Sequence, residues 1–205
     1  EVILIRSDAD GTPDTEFRFE NDGNAFADGA WTGSGADFAE YFESTDGTLT
    51  ERHLACRDTA NDLGVKRCAA GDRNVVGVIS SSPGFVGNNI VGAEGSLEGN
   101  SNFRLVGLVG QIETYATAAD GPIAIGDAVT TSSSVNGYAG KANGPSFIVG
   151  RALQPLSSGS GVIKVLVQPM WFAGDLLGTD NGTASLLTDV QIAAFEKLHQ
   201  TITGL

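Results

Sequence analysis

The amino-acid sequence predicts an all-β protein with an N-terminal β-ribbon, a compact β-rich domain and a short C-terminal helix. Two observations support this fold class. Glycine accounts for 28 of the 205 residues, and glycine is unfavourable in the interior of helices. Short runs rich in β-branched and aromatic residues also alternate with turn-forming residues along most of the chain, which is typical of strands joined by turns.

The first 36 residues are expected to form the β-ribbon. Phe17 and Phe19 lie two positions apart, so they share one face of a strand. The sequence Asn21-Asp22-Gly23 follows directly after this strand. It predicts a hairpin turn, because asparagine and glycine tolerate positive φ angles.

Residues 37–172 are predicted to form the compact β-rich domain. Five apolar segments within it are bounded by Gly, Pro, Asn or Ser, namely residues 75–80, 103–115, 127–131, 147–153 and 161–167. Gly77, Gly107 and Gly110 fall inside two of these segments. Glycine within a strand predicts a bulge or a close approach of another backbone.

The last part of the chain is predicted to contain a linker over residues 173–187 and a helix over residues 188–205. Thr188 and Gln191 have the spacing of a helix capping box. The spacing of four apolar residues predicts a short oligomerisation seam, formed by Phe195, Leu198, Ile202 and Leu205. An isolated helix of this length is marginal in water, so the seam packs either on the β-domain or in a bundle with other copies.

Cys56 and Cys68 flank a polar, highly charged segment and are twelve positions apart. Their spacing fits an intrachain disulfide on a surface loop, with two free thiols as the alternative. A disulfide implies a compartment outside a reducing cytosol. No metal site is predicted, because His53 and His199 are the only histidines and are far apart in sequence.

Charge and motif patterns disfavour several classes of partner. Twelve basic against 25 acidic residues give a net charge of −13, which disfavours nucleic acid. The longest charge-free run, residues 74–93, is too polar for membrane insertion. No nucleotide-binding fingerprint is present, so no cofactor is expected. The serine-rich runs at residues 80–82 and 130–134 are predicted to be exposed loops, since no Gly-x-Ser-x-Gly motif occurs.

Several stretches together resemble one known family. Residues 17–31, FRFENDGNAFADGAW, resemble the last repeat of a phage fibre shaft, and residues 35–43, GADFAEYFE, resemble the opening of the domain that follows it. Residues 75–88, 121–132 and 148–153 continue the resemblance. The family is the intramolecular-chaperone, autoproteolytic C-terminal domain of bacteriophage tail fibres and neck appendages, and the resemblance covers about residues 17 to 170.

The resemblance implies a homotrimeric β-rich domain that brings fibre chains into register and, in some members, cuts itself from the fibre. The matching carboxylates are Asp37, Glu40 and Glu43. Paired carboxylates can activate water or a hydroxyl and protonate a leaving amine. In a straight strand Asp37 and Glu40 point to opposite faces, whereas in a helical turn they share one. The alternative is that these acids are solvated strand residues without a catalytic role.

One departure from the family pattern affects the expected activity. Members that cleave themselves resemble a pattern with serine directly before the aspartate, whereas Ala36 precedes Asp37 here and the nearest hydroxyl is that of Ser34. We therefore expect a trimeric tip that stays permanently attached.

Three functions are compatible with these observations. The leading hypothesis is a homotrimeric structural and assembly module of a virion tail fibre or a similar extracellular filament. The second is an active self-cleaving chaperone that uses Asp37 with Glu40 or Glu43. The third is a capsid-decoration or carbohydrate-binding protein that contacts a host-surface receptor or glycan, suggested by the turn at residues 126–130 and by Trp31 and Trp171.

Overall fold

The secondary structure is almost entirely β. A computed structural model describes residues 3–7, 14–30, 33–44, 46–89 and 97–174. Within these residues a single 3-10 turn, Ala118–Asp120, accompanies thirteen strands, so the all-β prediction is confirmed. No helix long and apolar enough to cross a membrane occurs in the same residues. The predicted helix at 188–205 lies outside them, as does most of the predicted linker.

The strands follow one another in chain order with short connections. Their bounds are β1 Ile3–Ser7, β2 Asp14–Phe19, β3 Ala25–Ala27, β4 Asp37–Glu43, β5 Leu54–Arg57, β6 Val65–Arg67, β7 Val75–Ile79, β8 Phe85–Gly87, β9 Phe103–Thr117, β10 Ala128–Thr131, β11 Ala139–Lys141, β12 Ser146–Ala152 and β13 Ser160–Phe172.

The first three strands form a separate antiparallel sheet in the order β1-β2-β3. Residues 20–24 turn the chain between β2 and β3, with the Glu20 N–H donating to the Asn24 carbonyl oxygen at 2.9 Å. Gly23 has a φ of 91°, a value that glycine adopts without steric cost. The predicted hairpin is therefore confirmed.

The other ten strands form one sheet, part of which closes on itself. Strands β9, β13, β12, β10 and β11 pair in that order, and β11 pairs back to β9 in parallel through Ala139 and Ala116. These five strands make a small barrel. The first part of β9 extends beyond the barrel and pairs there with β4 and β7, so β9 joins the barrel to the rest of the sheet.

Two apolar clusters fill the interior of this sheet. The larger joins the barrel strands to β5 and β7, and its buried members are Leu54, Cys56, Cys68, Val75, Val78, Ile112, Ala116, Ile123, Val129, Ala139, Val149, Ala152, Ile163, Val165 and Val167. The smaller consists of Leu49, Ala55, Val65, Ile79 and Val106. Alternate residues of the strands supply both clusters, as expected for sheets with one buried face.

The disulfide between Cys56 and Cys68 is formed, with an Sγ–Sγ distance of 2.07 Å. Its predicted position on a surface loop is wrong. Cys56 lies on β5 and Cys68 directly follows β6, and both side chains are 0% exposed. The segment is a hairpin whose charged residues lie on the outer face, while the cystine packs against the core. The many charged residues in the sequence therefore describe only the outer face of the hairpin.

We expect the double variant Cys56→Ala/Cys68→Ala to unfold at a lower temperature than the parent. A disulfide closing a loop of this size contributes roughly 3 kcal/mol, and each kcal/mol corresponds to about 2–4 °C in a domain of this length. Calorimetry with and without reductant measures the effect at one protein concentration. The parent should respond to reductant and the variant should not; equal melting temperatures for all samples would contradict the prediction.

Candidate functional site

The three carboxylates singled out in the sequence all lie on β4, which runs between β8 and β9. Burial alternates along this strand: Asp37, Ala39 and Tyr41 are buried, whereas Phe38 and Glu40 are half-buried. Residues three apart in a strand face opposite sides of the sheet. Asp37 and Glu40 of one chain therefore do not form a carboxylate pair, and the strand geometry applies rather than the helical turn.

The other two acids are placed differently from Asp37. Glu40 pairs with Gly87 of β8 in the parallel register. Glu43 points to the same side of the strand as Asp37 but is exposed, and the six residue steps between them span about 20 Å. Asp37 is thus the only one of the three with a buried side chain.

Glycines in β9 make room for the Asp37 carboxyl group. A Cβ atom on Gly107 would lie 3.0 Å from Asp37 Oδ2, and one on Gly110, whose φ is 122°, would lie 2.4 Å from the Ala36 carbonyl oxygen. The β4–β9 register shifts by one residue at this point, which is the signature of a bulge. A Cβ atom on Gly77 would likewise meet the Gly107 carbonyl oxygen at too short a distance. The close approaches predicted at all three glycines are confirmed.

Burial determines the electrostatics of Asp37, whose residue surface is only 8% exposed. Desolvation raises the pKa of its carboxyl group, and the interaction with the Ser80 hydroxyl partly opposes that rise. Asp37 Oδ2 has no hydrogen-bond partner among the described residues. The carboxyl group therefore holds a proton more readily than an exposed aspartate and keeps one oxygen available.

Asp37 lines a cavity of about 270 Å³ together with hydroxyl and charged side chains. Its polar lining comes from Ser34, Ser80, Ser81, Ser82, Arg52, Gln111, Glu113 and Lys164. Arg52 and Glu113 pair across this wall at 2.7 Å. The arrangement supplies one buried acid and several hydroxyl groups. Groups of these types can transfer protons during acid–base chemistry on a neighbouring peptide bond.

The serine-rich runs are exposed only in part, because each contains one buried serine. Ser80 is 6% exposed and faces Asp37, while Ser81 and Ser82 are exposed. Ser132, in the second run, is 0% exposed, and its hydroxyl accepts the N–H groups of Ser134 and Val135. Tertiary contacts bury both residues, which composition does not reveal.

The peptide bond between Ala36 and Asp37 is held firmly by backbone contacts. The Gln111 N–H donates to the Ala36 carbonyl oxygen at 3.2 Å, and the Gly84 N–H donates to the Asp37 carbonyl oxygen at 2.8 Å. A Cβ on Gly35 would lie 2.3 Å from the Ser82 carbonyl oxygen, so the preceding segment packs backbone against backbone. One donor polarises the carbonyl of this bond, but Ala36 supplies no hydroxyl to attack it.

The remaining predicted site residues lie elsewhere. The seam residues Phe195, Leu198, Ile202 and Leu205, and also Trp31, lie outside the described residues. Trp171 is near the end of β13 with 62% of its surface exposed. No group of three or more metal-ligating side chains occurs in the part of the chain that the structure describes.

Comparisons with solved structures show a shared fold. The chain is similar to pre-mature bacteriophage phi29 gene product 12, with a TM-score of 0.55 and 22% identity over 75% of this chain and 24% of that one. A C-terminal fragment of the same phage protein aligns with 24% identity and a TM-score of 0.45, over 64% of this chain and 100% of the fragment. The alignment therefore spans about a quarter of the length of the first of these solved chains.

A family model and the curated proteins give two further results. No curated protein matches the chain. Residues 13–93 match the model Peptidase_G2, described as the IMC autoproteolytic cleavage domain. The matched segment contains Asp37, Glu40 and Glu43 and the Ala36–Asp37 bond. The resemblance seen in the sequence is therefore confirmed: residues 13–93 match the family of intramolecular-chaperone autoproteolytic cleavage domains.

Proposed function

We propose that this chain is the trimeric C-terminal domain of a phage tail fibre or a similar extracellular filament. It registers and caps the three chains and stays attached to them. The observation that carries the proposal is an apolar face of the three-stranded sheet on which Ile3 and Ile5 are exposed to solvent.

Strand pairing places the apolar residues of this face on one side of the sheet. Ile5 pairs with Phe17, and Ile3 pairs with Phe19, and paired residues project to the same side. Ile3, Ile5 and Phe17 are 51%, 48% and 37% exposed. Three copies arranged around an axis would bury this face, which a small isolated sheet in water cannot do.

Phe26 is excluded from that face by its register. It pairs with Arg18 on the opposite side of the sheet, and the Arg18 guanidinium lies 4.2 Å from the centre of its ring. Phe26 therefore does not share a face with Phe17 and Phe19. The proposed interface uses Ile3, Ile5, Phe17 and Phe19.

The large sheet carries a second apolar row that supports self-association. Phe38 pairs with Phe85 on one side and with Val109 on the other. The two phenyl rings are 5.8 Å apart, and Phe85 and Val109 are 66% and 56% exposed. An uncovered row of this kind across three strands is typical of an interface between chains.

Two features of the site favour permanent attachment over self-cleavage. Ala36 places a methyl group where a nucleophilic hydroxyl would be needed, and strand geometry separates Asp37 from Glu40. Self-cleavage is the second candidate function, and the family match together with the buried Asp37 carboxyl group beside Ser80 favours it.

The trimer is tested by light scattering at micromolar concentration. We expect a mass three times the chain mass of 21.1 kDa for the parent, and a smaller mass for Ile5→Asp, because the new carboxylate would have to be desolvated in the interface. Leu63→Asp is the control, since Leu63 is 72% exposed and outside both apolar faces. A monomeric parent, or equal dissociation by the control, would refute the proposal.

Attachment is tested by intact-mass spectrometry of freshly made full-length protein. We expect one species at the full chain mass of 21.1 kDa, because the bond before Asp37 lacks its hydroxyl neighbour. A fragment beginning at Asp37 would instead show self-cleavage, provided that Asp37→Asn abolishes it. A fragment that persists in Asp37→Asn would point to a contaminating protease and requires repurified material.

The charge of Asp37 should destabilise the folded protein at neutral pH. Because its pKa is raised by folding, the folded state binds the proton more tightly, and stability falls as pH rises from about 4 through the folded pKa. Asp37→Asn should raise the melting temperature at pH 7 by about 2–4 °C, corresponding to about 1 kcal/mol.

Thermal unfolding at pH 4 and pH 7 measures this effect. The gain from Asp37→Asn should shrink at the lower pH, where the parent carboxyl group is itself protonated. Asp62→Asn, at an exposed position, is the control and should change the melting temperature little at either pH. An equal loss of stability in Asp37→Asn at both pH values would contradict the prediction.

A further inference from the structure

Two adjoining cavities form a groove at the barrel, between the loop after β11 and the end of β13. Their volumes are about 420 and 100 Å³, and both are lined by Lys141, Ala142 and Phe172. The larger also contacts Asn143 and Pro145, and the smaller contacts Asp127 and Arg151. We refer to this combined space as the cationic groove.

Arg151 is oriented in the groove by two contacts. Its guanidinium carbon lies 5.6 Å from the centre of the Phe172 ring, and its Nη1 donates to the Gly126 carbonyl oxygen at 2.9 Å. This is the only hydrogen bond of the Arg151 side chain among the described residues. A guanidinium has five N–H donors, so most of them remain available to a ligand.

The single carboxylate of the groove is already neutralised by protein groups. Lys141 Nζ lies 2.8 Å from Asp127 Oδ2, which also accepts the Ala124 N–H at 2.8 Å. Burial acts to raise the pKa of Asp127, but these hydrogen bonds and the charges of Lys141 and Arg151 hold it below its usual value. Two cations therefore face one anion, and Arg151 carries the unbalanced positive charge.

The excess of positive charge in the groove contrasts with the acidic character of the whole chain. Residues 121–174 contain three cations, Lys141, Arg151 and Lys164, and a single carboxylate, Asp127, although the whole chain has a net charge of −13. The acidic remainder of the surface repels long polyanions. A local positive groove on such a protein suits a small anion or one terminal anionic group.

We propose that the cationic groove binds an oxyanion, a phosphate or carboxylate group carried by a small ligand. The planar Arg151 fork would bind two of its oxygens, and Lys141 would contribute a point charge. Phe172 and Pro145 offer an apolar wall to the rest of the ligand, and the volume is in the range of small-molecule sites. The proposal is independent of trimer formation and of self-cleavage.

Titration of the full-length protein followed by amide NMR tests the proposal, with inorganic phosphate and glucuronate as separate probes. We expect saturable shifts at Gly144 and Ala173, which line the groove, with a millimolar Kd for at least one probe. Arg151→Gln should raise that Kd about tenfold, as expected for loss of a charge-assisted bidentate contact. Arg73→Gln, an exposed cation outside the groove, should leave it unchanged.

The two probes identify the anionic group. Saturation by phosphate alone indicates a phosphate ligand, saturation by glucuronate alone indicates a carboxylate ligand, and saturation by both indicates a groove that accepts either group. Sodium chloride at matched ionic strength measures nonspecific screening. The proposal is overturned if neither probe gives saturable shifts in the groove, if sodium chloride reproduces the shifts, or if Arg73→Gln weakens binding as much as Arg151→Gln. Unchanged melting temperatures of both variants would show that the comparison concerns binding rather than folding.

Discussion

Strand β9 is the element on which the large sheet depends. Its fifteen residues pair with β4 and β7 near the start and with β13 and β11 near the end. One continuous strand can serve both groups only if it bends between them, and the bulge with its two glycines provides that bend. Gly110 has a φ of 122°, and a Cβ atom there would meet the Ala36 carbonyl oxygen and the Asp37 backbone, so the bend requires glycine at that position.

The position of Asp37 is a consequence of the same bend. The first residue of β4 lies against the glycines of β9, at the polar wall of the cavity described above, and little of its surface is exposed. The result is a carboxyl group that loses solvation while gaining only a limited hydrogen bond from Ser80. Functional chemistry often uses acids in such environments, and the same environment lowers stability when no reaction takes place.

Surface character divides the molecule into three parts. The N-terminal sheet and the row from Phe85 to Val109 carry exposed apolar side chains within the described part of the chain. The hairpin closed by Cys56 and Cys68 instead directs its charges outward and its cystine inward. The barrel end around Arg151 is positively charged within an acidic chain. The proposed association and the proposed anion binding therefore use surfaces separate from each other and from the disulfide, so substitutions in one need not disturb the others.

Local sequence determined the fold class, the turn at residues 21–23, the glycine approaches in β9 and the disulfide partners, because each depends on backbone preference or on neighbouring residues. Only the tertiary structure decided which side chains meet. Strand geometry separated Glu40 from Asp37, contacts between distant segments buried Ser80 and Ser132, and the pairing of β2 with β3 turned Phe26 away from Phe17. These outcomes depend on register and on contacts between residues far apart in the chain, and a shift of one residue in register reverses the face of every side chain in a strand.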